Sequence, residues 1–268
     1  MKIKKIYTKI GPFYILIVIK DMQSLVSQEI FSRLITYLTG FIIKNSSLKP
    51  DFTIEIIESS SSKRDFLTIE QNKRIKVYLK NFVWVPHNKV ITYNGISIYA
   101  FDFILRRIIA FLLYKNDFFF IHTSACLYRK KAYLFLGKNG AGKSTIIKLL
   151  HPISKPLVDD FGIIAKKQNN YYFYQTPLIC KNPIKGSYKK YEIQRLFFIF
   201  QANSFSIKPL TLHEKKESII KLFRNSVLNN IDNDSLLCFI NKFQKNLYQL
   251  NFTLNRSELI KNKVKIFG

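Results

Sequence analysis

The segment YLFLGKNGAGKST, residues 133–145, decides how the middle of this 268-residue chain folds. An apolar run precedes its glycines, and STIIKLL after them has the apolar spacing of a short helix. Gly137, Gly142, Lys143 and Ser144 satisfy the pattern G-x-x-x-x-G-K-[ST] in the context that the pattern requires. The segment therefore predicts a strand, a glycine-rich loop (residues 137–142) and a helix that together bind nucleotide phosphates.

Each part of this pattern has a physical task. Glycines let backbone N–H groups approach phosphate oxygens, and the helix that follows adds its N-terminal dipole. Lys143 is expected to reach the β- and γ-phosphates, Ser144 to bind Mg²⁺ and Thr145 to contact another phosphate oxygen. The predicted nucleotide-binding residues are Gly137, Lys138, Asn139, Gly140, Ala141, Gly142, Lys143, Ser144 and Thr145.

Basic residues dominate the charge of the chain. Lys and Arg number 43 and Asp and Glu 17, which gives a formal net charge of +26. This balance favours acidic partners, but it also arises when codon bias enriches Lys together with Asn, Ile, Phe and Tyr. The basic residues are spread along the whole chain without an arginine-rich tract, so we do not expect nucleic acid as a partner.

The cysteines and the apolar segments indicate the cellular compartment. Cys126, Cys180 and Cys238 lie far apart without metal-type spacing, which favours a reducing environment. The apolar run 13–19 follows a basic start like that of a signal peptide, but it is short and no small-residue cleavage site follows, so we interpret it as a core strand. No segment approaches the roughly 18 apolar residues of a membrane helix. We expect a cytoplasmic protein with no membrane partner.

The pattern of apolar residues predicts two domains. Residues 1–116 contain a helical pattern near 25–38, several alternating segments and a turn at Asn94-Gly95, which predicts a small mixed α/β domain. A helix from Ala100, with Arg106 and Arg107 exposed, is predicted to end this half. Residues 117–268 contain the glycine-rich loop, several strands and helical patterns at 211–230 and 234–246.

A pair of carboxylates follows the glycine-rich loop closely. Asp159 and Asp160 come directly after the apolar PLV, and Asp159 is 16 residues after Lys143. Transporter-type ABC ATPases have the same residues, KNGAGKST, in this loop. They place a long helical region with an L-S-G-G-type signature before their acidic strand. That signature does not occur here, which argues against an ABC ATPase.

The segments IHTSACLYRKKAYLFLGKNGAGKSTIIKLL and PLVDDFGII together resemble the HPr kinase/phosphorylase family. That family places a histidine on the strand before the loop and an Asp-Asp pair at the end of the next strand, and it is related to ATP-dependent phosphoenolpyruvate carboxykinases. The resemblance covers residues 121–165. It implies an α/β fold in which the second domain has a mixed, largely antiparallel sheet and C-terminal helices.

The resemblance also implies the chemistry. ATP and Mg²⁺ would be the cofactors, and the catalytic residues would be Asp159, Asp160, His122 and Lys143. One aspartate would orient Mg²⁺ and the other would accept the hydroxyl proton of the acceptor, with Ser144 and Asp159 as the metal ligands. The expected acceptor is a hydroxyl, with serine as the first candidate, in a protein, peptide or small molecule.

The chain departs from that family after the acidic pair, where TPLICKNPIKGSYKKYEIQR lacks the family's glycine- and arginine-containing pattern. This departure argues against HPr itself as the substrate. Lys181, Lys185 and Arg195 are candidates for binding an acidic acceptor, although a solvated loop explains them equally well.

Three hypotheses remain open from the sequence. The first is the kinase that acts on a hydroxyl. The second is a regulatory protein that binds a nucleotide without transferring phosphate, and the third is a polyanion-binding ATPase, suggested by the net charge. A homo-oligomer is compatible with each of them.

Overall fold

A computed structural model describes two compact units, Met1–Ile109 and Ala110–Gly268. The described residues are 2–20, 22–44, 47–58, 66–70, 76–80, 82–116, 118–179, 184–210, 233–243 and 245–268, with only the backbone described for 66–70, 76–80 and 233–236. The predicted helix at 211–230, Cys180 and Lys181 lie outside the described residues. The fold is mixed α/β, as the sequence predicts.

The first unit contains a five-stranded mixed sheet. In the chain, one helix lies between its second and third strands. Its strands follow the order β1-β2-β3-β7-β6; β2, β3 and β7 run parallel, and both edge strands pair antiparallel. A separate antiparallel pair joins β4 and β5. The elements are β1 Lys4–Ile10, β2 Phe13–Ile19, α1 Leu25–Tyr37, β3 Phe52–Ile57, β4 Phe66–Glu70, β5 Lys76–Lys80, β6 Phe82–Val85, β7 Lys89–Tyr93 and α2 Ile98–Tyr114.

The apolar run at residues 13–19 is strand β2, which confirms that part of the prediction. The predicted helix near 25–38 is α1. Its N-cap Ser24 accepts a hydrogen bond from the Ser27 N–H, and Ile30 and Leu34 are buried on one face. No helix in the described part of the chain is long and apolar enough to cross a membrane.

A polar network joins α1 to α2. Asp102 is 6% exposed; it accepts a hydrogen bond from the Tyr37 hydroxyl at 2.6 Å and one from Nε of Arg106 at 2.6 Å. Burial, and then the Asp102 carboxylate, raise the pKa of Tyr37. The prediction that Arg106 is exposed was wrong, because this buried carboxylate holds its guanidinium, whereas Arg107 is exposed.

Glu55 on β3 is the acidic centre of another small network. Its Oε2 lies 2.8 Å from Nζ of Lys89 and 3.2 Å from Nζ of Lys20. Burial would raise the pKa of the Glu55 carboxyl, but the hydrogen bonds from Lys89 and Lys20 outweigh it and lower the pKa below its usual value.

We expect Glu55→Gln to lower the free energy of unfolding at pH 7 by on the order of 1 kcal/mol. Because the folded carboxyl has the lower pKa, its stabilisation is present above the unfolded pKa and is lost as the pH falls through the folded pKa. The difference between the wild type and the variant should therefore shrink below about pH 4. Urea unfolding between pH 3 and 7 would measure it.

Glu29→Gln is the matched control. Glu29 pairs with Arg33 four residues along α1, but both side chains are more than half exposed. Exposed pairs contribute little, so this variant should change stability by less than about 0.5 kcal/mol at every pH. An equal effect of the two substitutions would contradict the role given to Glu55.

The second unit is a seven-stranded sheet with helices on both faces. The strand order is β11-β10-β8-β9-β12-β14-β13, in which β9, β12 and β14 run parallel and the other neighbours are antiparallel. The elements are β8 Phe119–Tyr128, β9 Lys131–Leu136, α3 Lys143–Leu150, β10 Lys155–Lys167, β11 Asn170–Gln175, β12 Lys190–Gln201, β13 Ser206–Pro209, α4 Asn233–Phe243, β14 Leu247–Phe252, α5 Arg256–Lys261 and α6 Lys263–Phe267.

Strand β9 is apolar at consecutive positions because both of its faces are buried. Ala132, Leu134 and Leu136 belong to a core that includes Phe239 of α4. Tyr133 and Phe135 belong to a second core, on the opposite face, with residues of α3, α5 and α6. On β8, Cys126 lies in this second core, and a period of two places His122 and Ser124 on the same face as α3.

The seven-stranded sheet also closes partly on itself. Strand β12 pairs with β9 and β14 along its length, and the residues at its start, 190–192, pair with residues 172–174 of β11. The first and fifth strands of the order are thus hydrogen-bonded to each other. Strand β13, of four residues, is the free edge among the described strands.

Candidate functional site

The glycine-rich loop has the backbone conformation that its glycines predict. Gly140 and Gly142 have φ of 83° and 94°, in the left-handed region that side chains disfavour. A Cβ on Gly142 would also lie 2.7 Å from Nε2 of Gln201 and 2.7 Å from Cζ of Phe252. Gly142 directly precedes the first residue of α3, so helix and loop meet where only glycine fits.

Lys143 folds back over this loop. Its Nζ donates to the carbonyl oxygens of Gly137 at 2.9 Å and Lys138 at 3.1 Å, and the residue is 8% exposed. Burial lowers the pKa of the Lys143 ammonium, and the carboxylates of Asp160 and Asp159 offset part of this effect. The site thus holds a poorly hydrated cation within electrostatic reach of both aspartates.

Asp159 is positioned by a buried serine that the sequence did not single out. Asp159 lies opposite Ser124 in the antiparallel pairing of β10 with β8, and Oγ of Ser124 donates to Oδ1 of Asp159 at 2.6 Å. Ser124 is fully buried. Its only signal in the sequence is its place two residues after His122, on the same face of the strand.

Asp160 has a different neighbour. Its Oδ1 lies 3.0 Å from Nε2 of His122, and the imidazole stacks on Phe161 with ring centroids 5.2 Å apart. Phe161 is the residue opposite His122 in the strand pairing. The structure therefore brings Lys143, Asp159, Asp160 and His122 together, and it gives each carboxylate its own hydrogen-bonding partner.

The expectation that the acidic pair ends its strand was wrong. Strand β10 runs from Lys155 to Lys167, and its pairing with β8 continues to Ile164. The pairing is interrupted between Pro156 and Val158, just before the aspartates. Charged residues within a strand are tolerated here because both carboxylates remain partly exposed.

Ser144 and Asp159 line one cavity of about 250 Å³. Mg²⁺ prefers oxygen ligands and typically takes one or two protein side chains together with substrate phosphates and waters. A hydroxyl and a carboxylate beside the glycine-rich loop fit that requirement. No group of three or more His, Cys, Asp or Glu side chains in the described chain forms a metal site of its own.

Of the candidate acceptor-binding residues, Arg195 is held away from this site. Nη1 of Arg195 donates to the carbonyl oxygens of Lys265 at 2.9 Å and Ile266 at 3.2 Å, so its guanidinium anchors α6. Arg195 lies opposite Tyr133, four residues and thus on the order of 13 Å along the strand from Gly137. Lys185 is exposed, and Lys181 lies outside the described residues.

Fold and site together define a mixed α/β protein with a strand, glycine-rich loop and helix in P-loop geometry, and with two carboxylates beside the loop lysine. No protein-family model matches the chain, and no curated protein matches it. It is similar to a solved structure of the HPr(Ser) kinase/phosphatase from Coxiella burnetii, with 10% identity over 56% of this chain and 99% of that chain and a TM-score of 0.30. A TM-score this low carries no argument, so the resemblance to that family depends on the sequence motifs.

We expect the glycines of the loop to differ in their tolerance of a methyl group. Gly140→Ala should cost about 1 kcal/mol, because its Cβ meets no atom within 4 Å and only the φ of 83° is unfavourable. Gly142→Ala should cost about 3 kcal/mol, since the contacts with Gln201 and Phe252 add to a similar backbone cost. Urea unfolding of the two variants measures the difference.

Gly95→Ala is the control for this series. Its Cβ would meet nothing within 4 Å and its φ is not in the left-handed region. It should change the free energy of unfolding by less than about 0.5 kcal/mol. If Gly142→Ala proved as mild as this control, the tight junction between loop and helix would be refuted.

Proposed function

We propose that this protein transfers the γ-phosphoryl group of ATP to a hydroxyl acceptor in a Mg²⁺-dependent reaction. The observation that carries the proposal is the convergence of the buried Lys143 ammonium with the carboxylates of Asp159 and Asp160 beside the glycine-rich loop. A cation for the phosphates and a base for the hydroxyl proton are what such a transfer requires of the protein.

The first step of the proposed reaction is the binding of ATP and Mg²⁺. The backbone N–H groups of the loop and the N-terminus of α3 would hold the phosphate oxygens. The Lys143 ammonium would exchange its two carbonyl partners for the β- and γ-phosphates, which are stronger acceptors because they are charged. Ser144 and Asp159 would hold Mg²⁺, which supplies neutralisation of the phosphate charge when bound.

The transfer then needs one proton acceptor. The acceptor oxygen forms a bond to the γ-phosphorus while the bond from that phosphorus to the β,γ-bridging oxygen breaks, and ADP leaves with the electron pair. The hydroxyl proton goes to a carboxylate. Asp160 is our candidate for this base because His122 orients it, whereas Ser124 already donates to Asp159, on the cavity wall shared with Ser144.

We expect Asp159→Asn and Asp160→Asn to lower phosphate release from γ-labelled ATP by at least about 100-fold, because each removes a charge needed at the γ-phosphate. Binding of a fluorescent ATP analogue should persist. The control Glu192→Gln removes a carboxylate that pairs with Lys131 at the opposite end of β9, and it should turn over like the wild type.

Unchanged turnover in both aspartate variants would refute the assignment. Tight binding of ATP by the wild type, without release or transfer of phosphate under any condition, would instead favour a nucleotide-binding regulatory protein.

A second experiment should distinguish the proposed roles of the two carboxylates. Ser124→Ala removes the hydrogen bond to Asp159, so the apparent affinity for Mg²⁺ should fall about 10- to 100-fold. His122→Gln removes the partner of Asp160, so kcat should fall and the Mg²⁺ dependence should stay as in the wild type. A Mg²⁺ titration of phosphate transfer measures both. If both variants altered the Mg²⁺ dependence alike, this division of roles would be wrong.

A further inference from the structure

The cavity beside Asp159 follows one face of α3. Ile147 and Lys148 line it three and four residues after Ser144, and His151 lines it three residues after Lys148, which are spacings of one helix face. Asp159 lines it from β10. Its other lining residues are Pro152, Pro156, Ile184 and Arg256. The cavity thus starts at the two residues proposed to hold Mg²⁺ and runs along the helix away from the loop.

Its charged lining is mostly cationic. Lys148 and Arg256 are exposed, and Asp159 is the one carboxylate among the lining residues. No ion pair in the described part of the chain involves either cation. Two cations that line one cavity and form no ion pair with its single carboxylate favour an anionic ligand.

The placement of Arg256 is not explained by helix stability. It is the first residue of α5, after the N-cap Asn255, where the helix dipole disfavours a cation. Lys148 lies in the last turn of α3, where the dipole favours one, so its position has a structural explanation as well. The position of Arg256 therefore indicates a ligand more strongly than that of Lys148.

The phosphates of ATP are not the anion that this lining fits best. They are expected at the N–H groups of the loop and the start of α3, whereas Lys148 lies four residues beyond Ser144, about 6 Å further along the helix axis. Asp159 and Ser144 mark the γ-phosphate end of the cavity. What lies beyond them is the space open to an acceptor.

A second cavity, of about 490 Å³, continues the basic surface. It shares His151, Pro152 and Pro156 with the first cavity and adds Arg129 and Lys155. The second cavity therefore continues the basic lining beyond His151, and neither Ser144 nor Asp159 lines it.

We infer that the acceptor is an acidic hydroxyl compound, one that carries a carboxylate or phosphate group besides the hydroxyl that receives the phosphoryl group. The hydroxyl lies at the Asp159 end of the cavity, and the acidic group lies between Lys148 and Arg256. This inference rests on the proposed function, whose acceptor it specifies.

Matched probes test the charge requirement. N-acetyl-L-serine and N-acetyl-L-serinamide differ by one carboxylate, and glycerol 3-phosphate and glycerol differ by one phosphate. Each is incubated with the full chain, Mg²⁺ and γ-labelled ATP, and kcat/KM for transfer to the probe is measured. We expect at least one anionic probe to be labelled roughly tenfold or more faster than its neutral partner. Which pair responds distinguishes a carboxylate from a phosphate.

Substitutions test whether Lys148 and Arg256 cause the preference for the anionic probe. Lys148→Gln and Arg256→Gln should each lower kcat/KM for the anionic probe by about 10- to 100-fold and leave the neutral probe and the affinity for ATP unchanged. Lys166→Gln, which removes an exposed lysine of β10 that lines neither cavity, is the control and should change nothing.

The outcomes separate this inference from the proposed function. Equal labelling of charged and neutral probes, or labelling of water alone, overturns the inference and leaves the phosphate-transfer chemistry in place. Weaker ATP binding by the Lys148 and Arg256 variants also overturns it, because the cavity would then belong to the nucleotide. If ATP binds and phosphate reaches neither probes nor water, the proposed function itself fails.

Discussion

The buried ammonium of Lys143 is the constraint on which the site depends. A cation with so little contact with water is tolerated only if carbonyl oxygens and carboxylates surround it, and the loop and β10 provide both. The loop must be tight enough for the carbonyls of Gly137 and Lys138 to face inward, which requires left-handed glycines. The sheet must bring Asp159 and Asp160 close enough to offset the cost of burial. The proposed ATP substrate would complete this arrangement, since its phosphates would replace neutral acceptors with charged ones.

The pairing of β8 with β10 gives two adjacent carboxylates different neighbours. In this pairing Asp159 lies opposite Ser124 and Asp160 lies opposite Thr123, so the two carboxylates occupy different register positions. Here Ser124 binds one aspartate and His122 the other. The irregularity between Pro156 and Val158 lies just before the pair. Two chemically identical side chains thereby acquire different surroundings, which is the condition for giving them different roles.

Local patterns predicted much of this molecule. The segment 133–145 predicts β9, the loop and the start of α3, because glycine spacing and apolar runs act within a few residues. The place of His122 and the aspartates beside the loop followed from a motif resemblance. Ser124 and Arg256 could not be found in this way, because the residues they meet are distant in sequence. Asp159 follows Ser124 by 35 residues, and Lys148, which lines the cavity with Arg256, precedes it by 108. Arg195 shows the converse: its basic character suggested a ligand, but the carbonyls of α6 hold it.

The pairing of β11 with the start of β12 affects how this chain meets other chains. An open sheet has two rows of unpaired backbone groups, and each row is a template on which a foreign strand can add. Here the outermost strand on one side turns back onto an inner one, which uses part of the first row. The opposite row belongs to β13, which has four residues and ends at Pro209, a residue without an N–H group. The seven-stranded sheet thus offers little unpaired edge, within its described strands, at which a strand of another chain could add.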